Sequence, residues 1–331
     1  VFTGLKYSGG CQRSNQHHMY PHPGAPTPTE STEPAATVLD GNTVANRLYE
    51  AIESSVETLR EVDVTPAVAL VSMTESGAGR TYASMKQQAC ATVGIESDVH
   101  EIDPDQPAAT LFDRLADLND DPAVHGVSVQ SPLPDHVDPR SVARRIAPPK
   151  DVEAVHPENL GRLFAGTPRY KPPTPAGIQR LLDAYGIDTA GTRAVVIGRS
   201  ETVGRPMATL LSGRGPGGDA TTTVCHSRTD DLAAKTRGAD IVVAAAGVPE
   251  MIDGEMLADG ATVIDVGINR VDADTEKGYE LVGDVDFESA KEVAGAITPV
   301  PGGVGPMTRA MLLYNTVKAA GLQHGVDVDL P

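Results

Sequence analysis

The chain has 331 residues, of which 40% are hydrophobic, and its 45 acidic and 27 basic residues give a formal net charge of -18. This composition fits a soluble protein of about two domains, because no apolar run approaches the ~18 residues that a membrane-spanning helix needs. The acidic surface argues against nucleic acid and anionic membranes as partners.

The basic residues include only eight lysines. An acidic, lysine-poor surface suits a cytoplasm rich in salt, because counter-ions screen the repulsion between carboxylates. We therefore expect a halophilic, haloarchaeal source. The three cysteines, Cys11, Cys90 and Cys225, lack the spacing of a disulfide framework or a zinc site. This usage predicts a reducing compartment, and hence a cytoplasmic protein.

The segment 1–36 is rich in Pro, Thr and Glu and has little apolar periodicity, so we predict a disordered tail. It lacks the charged and apolar regions of a secretory signal. The chain opens on Val1, and Met19 is our candidate for the true start. His17 and His18 form a pair that could bind metal, although we expect a solvated tail.

A first α/β series begins at residue 37. Val44, Leu48, Ile52 and Val56 recur at four-residue spacing after the start signal at 40–42, which predicts a helix. Apolar runs and helical stretches then alternate as a strand over 67–73, a helix over 81–93, a strand over 98–102, a helix over 108–118 and a strand over 124–129. This alternation predicts an α/β layer.

A second α/β series follows the proline-rich segment 172–175. It predicts a helix to residue 185, a strand over 194–197, a helix from 203, and strands over 221–225, 241–245 and 261–266. This pattern is typical of a Rossmann-like, doubly wound parallel sheet. We place the boundary between 166 and 175, giving domains over 37–170 and 171–305, and we expect the terminal segment 306–331 to complete the first domain.

The second domain contains a predicted phosphate-binding turn. Gly198 ends a strand and Gly204 begins the next helix, whose free N–H groups would face an anion. Ser200 takes the place of the second glycine in the usual dinucleotide motif, so the match is partial.

The residues after the next strand point to the choice of nucleotide. NAD-binding folds place a carboxylate there for the ribose hydroxyls, whereas this chain has His226, Ser227 and Arg228. Arg199, Ser227 and Arg228 suit a 2′-phosphate, which favours NADP over NAD. The alternative is that these arginines are ordinary solvated groups.

The first domain carries candidate chemistry at several positions. Tyr82 and Lys86 are four residues apart on one helical face and can reach one ligand, although an ordinary helix surface has the same spacing. The strand that ends at Val129 is followed by Gln130, whose amide lies where α/β proteins bind ligands. Asp151 and Glu153 place two carboxylates close together, which turn chemistry alone could also explain.

A proline- and glycine-rich segment spans 297–308. Proline removes N–H donors and glycine permits positive φ, so the segment predicts a rigid loop with bare peptide groups against which a planar ligand could lie. A tight structural turn is the alternative reading.

Together, and in this order, these segments resemble the bifunctional methylenetetrahydrofolate dehydrogenase/cyclohydrolase family over 38–320. The shared segments are 81–86, 129–134, 150–152, 198–206, 265–269 and the loop 297–308. The resemblance implies an α/β protein with a cleft between a folate-binding catalytic domain and an NADP-binding domain, in a homodimer that needs no metal. It implies oxidation of 5,10-methylenetetrahydrofolate with NADP and hydrolysis of the product to 10-formyltetrahydrofolate, within one-carbon metabolism.

The resemblance also implies roles for particular residues. Lys86 would be the general acid/base of hydrolysis with Gln130 hydrogen-bonded beside it, and Tyr82 would stack on the folate. The implied folate site comprises Tyr82, Lys86, Val129, Gln130, Ser131, Glu153, Pro301, Gly302, Gly303, Val304 and Gly305. The implied cofactor site comprises Gly198, Arg199, Ser200, Ser227, Arg228, Thr229 and Ile268.

Three positions depart from the family pattern. Glu153 replaces an Asp that grips the pterin, and Ala154 replaces a Gly, which would strain the turn only if φ must be positive. The segment 75–79 also differs. Three alternatives stay open: an NADP dehydrogenase of another small substrate, a dehydrogenase without hydrolase activity, and a folate-binding protein without catalysis. Lys86 argues against the last two.

Overall fold

The structure is a computed structural model that describes residues 36–74, 77–275 and 278–331. The predicted tail, with the exception of Ala36, and the first two residues of the departure at 75–79 therefore lie outside the described residues. None of the helices in the described ranges is both long enough and apolar enough to cross a membrane.

Within these ranges, helices and strands alternate along most of the chain. The helices are α1 (Gly41–Arg60), α2 (Gly77–Thr92), α3 (Ala108–Asp120), α4 (Pro139–Ala143), α5 (Pro157–Phe164), α6 (Pro173–Ala184), α7 (Gly204–Ser212), α8 (Leu232–Thr236), α9 (Phe287–Lys291) and α10 (Val304–His324). The strands are β1 (Thr37–Val38), β2 (Ala67–Ser72), β3 (Glu96–Glu101), β4 (Gly126–Val129), β5 (Arg193–Ile197), β6 (Thr221–Cys225), β7 (Ile241–Ala244), β8 (Thr262–Asp265), β9 (Asn269–Asp272), β10 (Tyr279–Val282) and β11 (Ala296–Ile297).

The first series forms a parallel sheet in the order β3-β2-β4. β2 is almost continuously apolar because both of its faces are covered. Val68 and Leu70 pack into one hydrophobic cluster, while Ala69 and Val71 pack into another on the opposite face. The predicted α/β layer is confirmed, and the carboxyl ends of β2 and β4 lie at one edge of this sheet.

The second series forms a six-stranded parallel sheet in the order β1-β11-β8-β7-β5-β6. Its strand β5 alternates in the same way, with Val196 in one cluster and Val195 and Ile197 in the other. The predicted doubly wound sheet is confirmed. The chain also enters this sheet unexpectedly early, because Thr37 and Val38 pair with Ala296 and Ile297, although the sequence placed residue 37 in the first domain.

Three helices, α1, α6 and α10, pack against one another. α1 begins where the sequence predicted, since the Asp40 carboxylate accepts hydrogen bonds from Asn42 N at 2.9 Å and Thr43 Oγ1 at 2.6 Å. α10 also contacts α2, β2 and β4, so it reaches the first sheet. It begins two residues earlier than predicted, at Val304.

Several short elements were not predicted. The helices α4, α8 and α9 have five residues each, which is too few for an apolar stripe to repeat. α5 and the antiparallel pair β9-β10 were also missed. Cys90 and Cys225 are buried and carry free thiols.

Candidate active site

Lys86 lies one turn beyond Tyr82 on α2 and is only 5% exposed. Its Nζ lies 2.8 Å from Glu153 Oε1 and 3.0 Å from Ser128 Oγ. It also lies 5.1 Å from the centroid of the Tyr82 ring. A buried ammonium needs such partners, because removing an unpaired charge from water is costly. The spacing seen in the sequence therefore does bring Tyr82 and Lys86 to one polar cluster, which we call the Lys86 cluster (Tyr82, Lys86, Ser128, Gln130 and Glu153).

Ser128 is the centre of this cluster and was missed by sequence reasoning. Its buried hydroxyl donates to Glu153 Oε1 at 2.7 Å and accepts from Gln130 Nε2 at 3.4 Å. The prediction was that Gln130 is hydrogen-bonded near Lys86. In the structure the amide donates to Ser128 Oγ, which also accepts from the Lys86 ammonium. Residues two apart in a strand share a face, so the position of Gln130 at the end of β4 was a signal that could have identified Ser128.

The turn between α4 and α5 that carries Glu153 is fixed by its neighbours. The buried Asp151 carboxylate accepts from Val155 N at 3.1 Å, from His156 N at 2.8 Å and from Asn159 Nδ2 at 2.8 Å. Burial raises the pKa of Asp151 despite these bonds. Asp151 thus holds the turn, and Glu153 is the carboxylate that joins the Lys86 cluster.

Ala154 has a positive φ, which is the condition under which alanine in place of glycine strains the turn. Its φ is 55°, in the left-handed region that L-residues avoid, and the residue is 1% exposed. The backbone at this position therefore has the conformation of a glycine, while the methyl group packs in the core.

Arg309, on α10, also faces this region and was not predicted. Burial raises the pKa of Tyr82, and the positive charges of Lys86 and Arg309 oppose that rise. Burial likewise raises the pKa of Tyr49 on α1, again opposed by Arg309. One helix face of α10 thus places a cation near two tyrosines of different helices.

The proline- and glycine-rich loop precedes α10. The φ of Gly302 is 112°, and its carbonyl accepts from Gly41 N at 2.9 Å, so the loop is tied to the start of α1. Pro301 is exposed, whereas Gly303 and Val304 are buried. Of the implied folate-site residues elsewhere, Ser131 is exposed and Val129 is half-buried.

The predicted phosphate turn connects β5 to α7. The φ of Gly198 is 119°, and a Cβ on Gly204 would overlap the carbonyl of Gly198, so both positions require glycine. Ser200 Oγ accepts from Val203 N at 3.1 Å and from Gly204 N at 3.2 Å. The side chains of Arg199 and Ser200 are exposed, and the turn therefore presents polar groups to solvent beside a helix N-terminus.

The other predicted cofactor residues follow neighbouring strands. Ser227 and Arg228 are exposed just after β6, and Thr229 Oγ1 accepts from His226 N at 2.9 Å. Ile268 is 62% exposed just after β8. Because β5, β6 and β8 are parallel, their carboxyl ends lie at one edge of the sheet, which is where open α/β sheets bind ligands.

Two buried carboxylates shape this edge and were not predicted as a pair. Asp265 accepts from Gly267 N at 2.9 Å, from Asp284 N at 2.9 Å and from Val285 N at 3.0 Å. Burial raises the pKa of Asp265 to about 6. Asp284 in turn accepts from the N–H groups of the three residues 246–248, which follow β7. Together they fix the loops after β7 and β8.

Comparison with known proteins agrees with this arrangement. Residues 39–153 match the tetrahydrofolate dehydrogenase/cyclohydrolase catalytic domain, and residues 172–324 match the NAD(P)-binding domain of the same family. The bifunctional protein FolD 1 of Haloarcula marismortui is 64% identical over 294 residues, covering 89% of this chain and 99% of the relative. This relative agrees with the expected haloarchaeal source.

Solved structures show the same fold. The bifunctional FolD enzyme of Campylobacter jejuni superposes with a TM-score of 0.82 at 42% identity, covering 87% of this chain and 99% of that one. The Trypanosoma brucei methylenetetrahydrofolate dehydrogenase-cyclohydrolase, solved with NADP cofactor and an inhibitor, gives 0.83 at 37% identity, covering 88% and 99%. With matches to both domain descriptions and identity at this level over nearly the whole of each relative, the chain belongs to the tetrahydrofolate dehydrogenase/cyclohydrolase family.

Proposed function

We propose that this chain oxidises 5,10-methylenetetrahydrofolate to 5,10-methenyltetrahydrofolate with NADP and hydrolyses that product to 10-formyltetrahydrofolate. The observation that carries the proposal is the buried ion pair of Lys86 and Glu153 beside Tyr82. Family membership and the bifunctional names of the relatives support both activities. The reaction belongs to one-carbon metabolism.

The second sheet suits NADP on its own geometry. The glycines at 198 and 204 let backbone approach a phosphate closely, and a Cβ at either would collide with neighbouring backbone. Arg199, Ser227 and Arg228 are exposed at the same edge and would hold a 2′-phosphate. NADP held by these residues would supply the hydride acceptor for oxidation of the methylene carbon.

The folate site on the first sheet would orient the substrate and move protons. Tyr82 offers an aromatic face for the pterin. In hydrolysis, water adds to the methenyl carbon and releases one proton, which leaves a hydroxyl on that carbon. The bond from that carbon to N5 then breaks as the hydroxyl gives up its proton to form the formyl carbonyl and N5 takes up a proton. Lys86 serves as the general acid/base of these transfers. Glu153 and Ser128 hold its Nζ in place, and Gln130 acts through Ser128.

The test compares the wild type with Lys86→Met and with Lys235→Met, whose lysine is exposed on α8. NADPH formation from methylenetetrahydrofolate and decay of methenyltetrahydrofolate absorbance are measured separately. General acid/base catalysis contributes about 10²–10⁴-fold, so we expect a loss of hydrolysis of that order in Lys86→Met and none in Lys235→Met. Unchanged hydrolysis in Lys86→Met would show that the assignment is wrong.

We also propose the two domains that the sequence predicted, each with its own ligand. Residues 37–170 with 306–331 form the folate-binding domain, apart from residues 37–38, which pair in the second sheet, and residues 171–305 form the NADP-binding domain. The contacts of α10 with α2, β2 and β4 support the return of the terminal helix to the first domain. The buried free thiols Cys90 and Cys225 support a cytoplasmic location.

We also propose that the protein is a homodimer. β6 is an edge strand of the six-stranded sheet, and its Val224 is 39% exposed. Edge strands present unpaired backbone groups, and a second copy could cover them. Light scattering should give the mass of a dimer for the wild type and of a monomer for Val224→Lys, since a charge at the edge opposes pairing. A monomeric wild type would refute this part.

A further inference from the structure

A polar cavity lies between α6, α10 and the segment that follows α7. Its volume is about 310 Å³. Three cationic side chains line it: Lys171, Arg180 and Lys318. None of its lining residues belongs to the Lys86 cluster or to the predicted cofactor residues. We call it the cation pocket.

The cation pocket is basic, although the chain as a whole is strongly acidic. The protein carries a formal net charge of -18 and only eight lysines, of which two line this one cavity. Burial lowers the pKa of Lys171, and the positive charges of Arg180 and Lys318 lower it further. Burial also lowers the pKa of Lys318. Lys171 is thus close enough to Arg180 and Lys318 to be repelled by both.

The part of the chain that the structure describes places no carboxylate in ion-pair contact with the cation pocket. Among the described residues, no carboxylate oxygen lies within 4.0 Å of the side-chain nitrogens of Lys171, Arg180 or Lys318. Asp183 lines the cavity but lies beyond that distance. Lys171 Nζ donates to Gln179 Oε1 at 3.0 Å, and the Arg180 guanidinium lies 5.8 Å from the centroid of the Tyr314 ring. Neutral groups therefore position two of the cations without cancelling their charge.

We propose that the cation pocket binds a small oxyanion of the phosphate type, either free phosphate or the phosphoryl group of a metabolite. Ammonium and guanidinium groups form short, charge-assisted hydrogen bonds with phosphate oxygens, and a guanidinium can pair with two of them. Half-burial of Lys171, Arg180 and Lys318 limits screening by salt, so binding survives in a concentrated electrolyte. The site is separate from the proposed folate and NADP sites.

Equilibrium dialysis of the full chain in molar KCl tests this assignment. Saturating NADP is present throughout, so that phosphate cannot report on the nucleotide site. Inorganic phosphate and glycerol phosphate are titrated separately, and we expect one saturable site per chain. Binding of phosphate alone identifies the free ion as the ligand, whereas binding of both identifies the phosphoryl group.

Matched variants locate the site. A charge-assisted hydrogen bond is worth about 1.5–3 kcal/mol, or roughly tenfold or more in affinity, so Lys318→Gln and Arg180→Gln should each weaken binding by about that factor. Lys318→Arg should retain it, and Lys235→Gln, at an exposed lysine, should bind as the wild type does. Circular dichroism identifies variants that fail to fold, and these are set aside. The phosphate affinities of the folded variants then test the proposal. The absence of a saturable site in the wild type, or equal affinity in Lys318→Gln, would overturn the proposal.

Discussion

Ser128 is fully buried, yet its hydroxyl contacts both members of the ion pair between Lys86 and Glu153. It accepts from the ammonium and donates to the carboxylate, so it fixes the orientation of both groups. It also accepts a hydrogen bond from the side-chain amide of Gln130. Because it acts through Lys86 and Glu153, whose side chains it contacts, we regard Ser128 as a positioning residue.

We predict that Ser128→Ala lowers kcat for hydrolysis by roughly tenfold or more, since a buried polar group left without its partner costs about 1–3 kcal/mol. The pH profile of hydrolysis should shift as well, because the hydroxyl contacts both charges of the pair. Rate measurements across pH check this expectation. Ser55→Ala removes another buried hydroxyl, on α1, that bonds to Ala51 O and Asp329 O, and should leave the profile unchanged. An unaltered profile in Ser128→Ala would contradict the positioning role.

Ala154 combines two opposing contributions to stability. Its left-handed backbone costs an L-residue roughly 1–2 kcal/mol. Its buried methyl group returns about 0.8 kcal/mol, and glycine would lose up to about 1 kcal/mol more backbone entropy on folding. These contributions nearly cancel, which explains how alanine is tolerated here.

We therefore predict that Ala154→Gly changes the free energy of unfolding by less than about 1 kcal/mol, whereas Ala154→Val destabilises by about 3 kcal/mol or more. Valine is β-branched, so it suffers in the left-handed region and overpacks a closed site. Denaturant titration at constant KCl measures both values. A large loss in Ala154→Gly would show that the methyl contact outweighs the backbone strain.

Sequence periodicity predicted part of the candidate site and missed the rest. The i, i+4 relation of Tyr82 and Lys86 follows from helix geometry alone. The contact between Lys86 and Glu153 joins residues 67 positions apart, and such a contact depends on how α2 and the turn between α4 and α5 are placed relative to each other. Arg309 was missed for the same reason, since its neighbours lie on α1 and α2.

One contact joins the start of β4 to the end of α10. The imidazole of His125 is buried, its Nδ1 accepts from Ala67 N at 3.1 Å, and its Nε2 lies 3.0 Å from Nε2 of His324. Burial, with the nearby charges of His324 and Lys150, lowers the pKa of His125 to about 4. The folded protein therefore holds this imidazole neutral.

We predict that this contact weakens in acid. Below about pH 6.5 the unfolded chain protonates His125, whereas the folded chain does so only near pH 4. The unfolded state thus binds more protons across this window, and the contribution of His125 to stability falls as the pH falls, by up to about 3 kcal/mol. Asp265, whose pKa is raised to about 6, acts in the opposite direction, so comparison with a variant is needed.

Denaturant titrations from pH 7 to 4 on the wild type and His125→Asn make that comparison. Asparagine can still accept from Ala67 N but does not titrate, so its stability relative to the wild type should improve as the pH falls. His136→Asn, at an exposed histidine, should follow the wild type. A constant difference between wild type and His125→Asn would contradict the prediction.

The long elements were predictable because their apolar patterns repeat several times. α1 and α10 span 20 and 21 residues, and the core strands of both sheets were placed within a few residues. β1 has two residues, both exposed, and it exists only because β11 lies beside it. No local pattern could reveal such a strand.

Over the whole molecule, the formal net charge of -18 produces repulsion that salt must screen. The Debye length falls from about 30 Å at 0.01 M salt to about 3 Å at 1 M. We predict that the melting temperature rises markedly between low and molar KCl. Sucrose, which is excluded from surfaces without screening charge, separates the two effects. Equal melting temperatures in low and molar KCl would refute the halophilic interpretation.

Because β1 pairs with β11, a cut between the two domains separates β1 from the sheet to which it belongs. Residues 37–38 belong to the second sheet, the next residues build α1 and the first sheet, and α10 follows β11 back to α1 and α2. If the polypeptide is cut near residue 171, neither fragment contains all of the segments that pack against it in the intact protein. Two separately expressed fragments should therefore be insoluble alone and recover order only when they are produced together.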